Sequence, residues 1–238
     1  MQSKFEVRDS KPLSAMLVFM AAPLQIKDDT SLPVRGAPAF FSLDVRSSIA
    51  WLSIDDRRLP IAPPSDGLVE RIARSVARVP KALRHALTGI KVSPVPNPAD
   101  AMWAERYGLP VLSGMGADAA GSGWVFIYPH AFERPTDTND DGFVRGLMHE
   151  LGHCWSLRDW SCVPTSKEAW RDAIASDRVA PSMYADLSYR NSGQPDEDAA
   201  EATALYFSVV DTPALKFHRD RMPARFALLD ARFERSDE

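Results

Sequence analysis

Apolar positions change their spacing several times along this chain. "AFFSLDV" and "SIAWLSI", within residues 13–54, are short apolar runs bounded by polar residues, and they predict strands. "LPIAPPSDG", residues 59–67, reads as a proline-rich break. After it, "GLVERIARSVARVPKALRHAL" switches to helical spacing, with Leu68, Ile72, Val76, Val79, Leu83 and Leu87 on one face. Pro80 lacks the amide proton that a helix interior needs, so two helices are expected. "GIKVSPVPNP" reads as a strand running into an extended proline segment. "GSGWVFIYP", residues 121–129, reads as a glycine-flanked strand with a β-branched and aromatic centre, ended by Pro129. Trp124, Phe126 and Tyr128 alternate in it with Val125 and Ile127. That pattern suits either an aromatic core layer or a cleft strand whose free edge pairs with an extended peptide.

A helix is expected from near Gly142 through "FVRGLMHELGHCWSL". Another runs from Asp196 through "DEDAAEATALYFSVV" to a stop or kink at Pro213, and "MPARFALLDARFER" predicts one more. The order predicts an α+β fold, with a main domain over residues 61–238. Residues 1–60 are expected to form a strand-rich segment, either a small lobe or an addition to the main sheet. There is no internal repeat and no low-complexity tract.

Composition changes little in this picture. The 238 residues are 45% hydrophobic and 25% charged, which is ordinary for a globular chain able to bury its own core. A net charge of −4 argues against a nucleic-acid groove as the main partner. Two cysteines, Cys154 and Cys162, do not make a disulfide scaffold; one bridge and a reduced pair are both open. No stretch reaches the ~18 apolar residues of a membrane span. "LSAMLVFMAAP", from Leu13 to Pro23, has the length of the apolar part of a signal peptide. Mixed charges precede it (Lys4, Glu6, Arg8, Asp9, Lys11), so it reads as a buried strand, an export signal or a trimmed terminus.

Candidate chemistry concentrates in "LMHELGHCW", residues 147–155. Positions four apart share a helix face, so His149 and His153 can turn both imidazoles toward one ion. Zinc takes imidazole nitrogen at ~2.0–2.1 Å and prefers four ligands. Glu150 lies about 100° further round the helix, better placed to serve as general base to a zinc-bound water than as a ligand. The HExxH pattern is short and arises by chance. Its setting strengthens it: Leu147, Met148, Leu151 and Trp155 give the helix an apolar back, and Gly152 removes a side chain beside the pair. Cys154 points away from His149 on the helix and is not expected to bind.

A catalytic zinc needs a third protein ligand and one open position. Asp159 lies ten residues after His149, the third-ligand position of HExxHxxGxxH peptidases, but Ser156 stands where those turn at glycine. Glu197 and Glu201 are the other option. They are four apart on one helical face, with the small Ala200 and Ala204 close by to admit a neighbouring helix. One would bind the ion and the other would orient a ligand histidine. The competing explanation is an acidic first turn favoured by the helix dipole, which applies above all to Asp196 and Asp198. "DTNDDG", residues 137–142, matches the first half of a calcium loop. Its twelfth position is Met148 rather than a bidentate glutamate, so Ca2+ is not the expected ion. Asp140 or Asp141 reads instead as the helix cap.

"HELGH", then some forty residues, then a tyrosine–alanine pair and "EDAAEA" resembles the anthrax lethal factor family of zinc metallopeptidases. The likeness spans about residues 66–211. It includes "VARVPKALRHALTGIKVSP" as the helix and strand before the site, and "GSGWVFIYP" as the strand lining the cleft. The resemblance implies a zincin-like domain with a small mixed sheet, an HExxH helix and a C-terminal helix carrying the third ligand. It implies one zinc ion, with Glu197 as that ligand and Glu201 supporting it. It also implies a tyrosine that donates to the oxyanion on the scissile carbonyl. Tyr184 has the matching alanine after it, and Tyr189 has the closer spacing to Glu197. Ala199 departs from the family's aromatic before "AE".

The expected activity is zinc-dependent cleavage of peptide bonds in a peptide or protein substrate. The alternatives are a catalytically silent zinc-binding interaction module and a toxin-like effector protease with one narrow target. The resemblance favours secretion or delivery into a host cell.

Overall fold

The computed structural model describes the backbone of residues 31–33, 42–46, 49–62, 68–107, 113–133 and 141–233. The expectations for residues 13–23 and 137–140 lie outside these. One mixed sheet holds seven strands: β1 (Ser31–Pro33), β2 (Ser42–Arg46), β3 (Ile49–Ile54), β4 (Arg57–Ala62), β5 (Gly89–Val92), β6 (Met115–Ala117) and β7 (Trp124–Ile127). Their spatial order is β1-β2-β3-β4-β5-β7-β6. The first four run antiparallel, β5 pairs in parallel with both β4 and β7, and β6 closes the edge antiparallel to β7. The sheet continues across residue 60, which falls inside β4. The first part of the expected proline-rich break is strand instead, because Leu59 and Ile61 alternate into the core at 2% and 0% exposure and carry Pro60 with them.

Ten helices are described: α1 (Leu68–Arg78), α2 (Lys81–Arg84), α3 (Asp100–Tyr107), α4 (His130–Glu133), α5 (Asp141–Cys162), α6 (Pro164–Asp177), α7 (Met183–Ser192), α8 (Asp196–Val209), α9 (Ala214–Arg221) and α10 (Pro223–Phe233). Pro80 separates α1 from α2, as its missing amide requires. Helices α1 and α5 cover one face of the sheet. Ala50, Leu52, Ile54, Leu59, Ile61, Ile90, Val125 and Ile127 are buried in the common core. Period two places the alternate residues on the opposite face. There Arg58 lies over Trp51, and Lys91 lies over Trp124 and Phe126. Trp124 and Phe126 are thus neither a core layer nor a cleft wall. β7 is paired on both sides, so the free edge beside it belongs to β6.

Two buried arginines, Arg84 and Arg225, tie these elements together through three carboxylates. The β3–β4 hairpin turns at Asp55 and Asp56, both with positive φ, a backbone that favours glycine or asparagine. Arg84 of α2 grips the Asp55 carboxylate at 2.8 and 2.9 Å and donates to the carbonyls of Val79 and Ala77. At the other end, Arg225 of α10 binds Asp198 of α8 through two nitrogens at 2.7 and 2.8 Å. It also binds Asp177 of α6 at 3.0 Å. Trp170 donates to Asp198 as well, at 3.0 Å. Asp198, read as an acidic first-turn residue, is therefore the buried anchor of three helices. Among the described residues no helix is long and apolar enough to cross a membrane.

Candidate metal centre

Helix α5 owes its orientation to Phe143, Val144, Leu147, Met148, Leu151 and Trp155, which are buried along its back. The opposite face carries Gly142, Gly146, His149 and His153 into a cleft of about 1170 Å³. The two imidazoles lie with ring centroids 4.9 Å apart, edge to face. The metal-binding atoms of His149, Glu150 and His153 all fall within 4.8 Å of one another, so this group can hold a metal ion.

Helix α8 crosses α5 at small residues. A Cβ on Gly152 would lie 2.7 Å from the Cα of Ala200, so only glycine allows this approach. Beside the crossing, the Trp155 indole donates to Thr203 at 3.0 Å. The crossing brings Glu197 over the two histidines. Its Oε2 lies 3.3 Å from Nε2 of His149 and 3.3 Å from Nε2 of His153. Two ligands bound at ~2.0–2.1 Å to one tetrahedral zinc stand about 3.4 Å apart. That Oε2 is buried and accepts no hydrogen bond; a cation at the point the three atoms share would satisfy it.

Glu201, one turn further along α8, reaches the other side of the same ring. Its Oε1 is 3.0 Å from Nδ1 of His149. Arg145 stands 3.7 Å from its Oε2. Burial disfavours a charged His149, but Glu197 and Glu201 outweigh it and hold the pKa up at about 10. Burial also works against the Glu197 carboxylate, yet the two imidazoles keep it well below the usual range. Glu201 is likewise lowered, by His149, Ser182 and Arg145 against the effect of burial. Glu150 moves the other way: burial raises its pKa despite the two histidines.

Tyr184, the second residue of α7, lines the cleft with its ring centroid 6.5 Å from that of His149. Tyr189 is five residues on, about 140° round the helix, and is not among the cleft residues. Asp159 does not join the site either. Helix α5 runs unbroken to Cys162, so ten residues carry Asp159 about 15 Å along the axis from His149. The cysteines are free: Cys154 is buried, with its thiol pushed up to about 12 by desolvation, and Cys162 is exposed. Eight residues along one helix put them about 12 Å apart, too far for a bridge.

Three parts of the cleft are absent from the expectations drawn from sequence. β6 is only "MGA", too short for alternation to show. Helix α7 has a weak apolar pattern, with Ala185 and Ser188 its only buried residues. Arg145 sits one turn before His149, and that spacing is the one signal that could have found it. Comparisons with protein-family models, curated proteins and solved structures find no match for this chain.

Proposed function

We propose that the protein is a zinc-dependent metallopeptidase with a zincin-like fold, of the kind its likeness to the lethal factor family implies. One observation carries the reading: an orphaned, buried Glu197 oxygen stands 3.3 Å from the Nε2 atoms of both His149 and His153. In this reading those three side chains hold the ion, and Glu201 fixes the ring of His149 from behind. Bound zinc supplies a Lewis acid that acidifies water and polarises a peptide carbonyl.

The chain's own groups do the rest. Glu150, buried beside the two histidines, takes the proton of the attacking water and delivers it to the departing amine. Tyr184 donates its hydroxyl to the oxyanion on the former carbonyl. β6, the edge strand on the cleft, is the strand beside which an extended peptide would lie.

The test is a diverse peptide library incubated with the zinc-loaded protein and with Glu150→Gln, with products read by mass spectrometry. Cuts made by the parent and lost in the variant are expected. Zinc bound with no cuts from the folded parent would replace this reading by a zinc-binding interaction module.

A further inference from the structure

We propose that Arg145 is a specificity-determining residue whose guanidinium takes a carboxylate of the substrate near the scissile bond. This rests on the peptidase reading above and names the class of peptide the cleft selects.

Helix α5 floors the cleft with residues 142, 146, 149 and 153. Before His149 this floor is Gly142 and Gly146, flanked by Phe143 and Arg145. A Cβ on Gly142 would meet nothing within 4 Å, and one on Gly146 would meet only Met115, its sulfur at 3.5 Å. Bound peptide can therefore approach α5 closely over Gly142, and Gly114, Met115 and Arg145 also line this end. Arg145 is one turn from His149, about 6 Å along the axis. That is the length of roughly two residues of extended peptide.

Arg145 does not behave like the arginines that hold the fold. Arg84 and Arg225 grip their carboxylates at 2.8 and 2.7 Å and are 9% and 1% exposed. Arg145 stands 3.7 Å from Glu201 and is 59% exposed. Among the described residues its guanidinium makes no hydrogen bond, so its fork of donors is presented to the cleft. A guanidinium matches a carboxylate in two parallel hydrogen bonds, which a lysine ammonium does not. Charge points the same way. The acidic residues Glu150, Glu197 and Glu201 gather at the histidines, whereas Arg145 and Arg71 both line the glycine-floored end. Arg71 is held there over the Phe143 ring at 4.9 Å.

The carboxylate has two sources: an Asp or Glu side chain, or the free C-terminus of a chain. One cleaved peptide is remade with Glu, Gln or Lys at each of three positions on either side of the cut, each as free acid and as C-terminal amide. kcat/KM is measured on the zinc-loaded parent. Binding of the same peptides, fluorescently labelled, is measured by anisotropy on zinc-loaded Glu150→Gln, so the answer does not depend on turnover.

At one position Glu is expected to be favoured over Gln by about tenfold, the scale of one charge-assisted hydrogen bond at a part-exposed site. Arg145→Gln brings that ratio to about one, Arg145→Lys keeps part of it, and Arg145→Glu turns the preference toward Lys. A Glu preference seen with both peptide ends assigns the side chain; a preference for free acid over amide, with none for Glu over Gln, assigns the C-terminus. Circular dichroism checks that each variant is folded. Cuts without a carboxylate preference, or a preference that survives Arg145→Gln, would overturn the proposal. If the folded parent cuts nothing, the peptidase reading fails, and the same substitution series made on the tightest-binding library peptide still decides Arg145 by anisotropy.

Discussion

Residue by residue, the centre depends on two kinds of position: those that supply a charge and one that supplies space. If Glu197 and the two histidines bind the ion, removing any one leaves a site with too few ligands. Glu197→Gln and His153→Ala should each lose stoichiometric zinc, read by native mass spectrometry, while Asp159→Ala keeps it. Zinc lost from Asp159→Ala instead would move the third ligand to α5. Gly152 is the space. In an ordinary helix, Gly→Ala gains about 1 kcal/mol. Here the added methyl would meet Ala200 backbone at 2.7 Å. Overpacking costs about 1–3 kcal/mol, and relief requires α8 to move. Gly152→Ala should therefore be destabilised in urea despite its better helix propensity, and should bind zinc more weakly because Glu197 moves with α8. A more stable Gly152→Ala would mean the crossing is looser than described.

Pairs of elements are joined by buried charge rather than by apolar contact alone. Asp198 follows Glu197 directly and is 1% exposed. Asp198→Ala leaves Arg225 with one carboxylate in place of two, and Trp170 without its acceptor. Breaking such a pair costs about 3–5 kcal/mol, so a fall in thermal midpoint is expected, read by circular dichroism. A change inside the error would show that the pair sets geometry without stabilising it.

The Asp55–Arg84 pair gives a sign that can be tested with pH. Its hydrogen bond to Arg84, acting against burial, holds the Asp55 pKa below the ordinary 3.8. A depressed carboxylate stabilises the fold above its unfolded pKa, and that contribution is lost as pH falls through the lower folded value. Asp55→Asn, which tolerates the same positive φ, should be less stable than the parent at about pH 7. The gap should close below pH 3.8. Urea unfolding at about pH 7 and about pH 3 decides it; a gap that widens in acid contradicts the assignment.

Across the whole molecule, the proposed zinc would join α5 to α8, two helices distant in sequence that cross at Gly152 and Ala200. A ligand that binds only the folded chain adds about 2.7 kcal/mol at a hundred times its Kd. For a chain near this size each kcal/mol moves the melting temperature by about 2–4 °C. Stripping zinc with a chelator should lower it by roughly 5–10 °C, and restoring zinc should reverse the shift. No shift on chelation would leave the orphaned Glu197 oxygen without the cation proposed for it.

Local periodicity and backbone chemistry were legible in the chain. Pro80 divides α1 from α2, apolar spacing shows α5, α8 and α10, and an i, i+4 pair puts His149 and His153 on one face. Glu197 and Glu201 could also be paired by their spacing. Their meeting with the histidines could not, because it depends on where Gly152 lets α8 cross. A free edge on the aromatic strand was one of two readings of its alternation, and nothing in "MGA" announces that β6 would cover that edge. Asp198 looked like its neighbour Asp196, because burial beside Arg225 arises only when α6, α8 and α10 come together. Tyr184 and Tyr189 were alternatives in sequence; the turn of α7 separates them, bringing only Tyr184 to the cleft. Local chemistry thus determined which groups were available. Packing between distant segments decided which of them meet, because those contacts join residues whose separation no local pattern records.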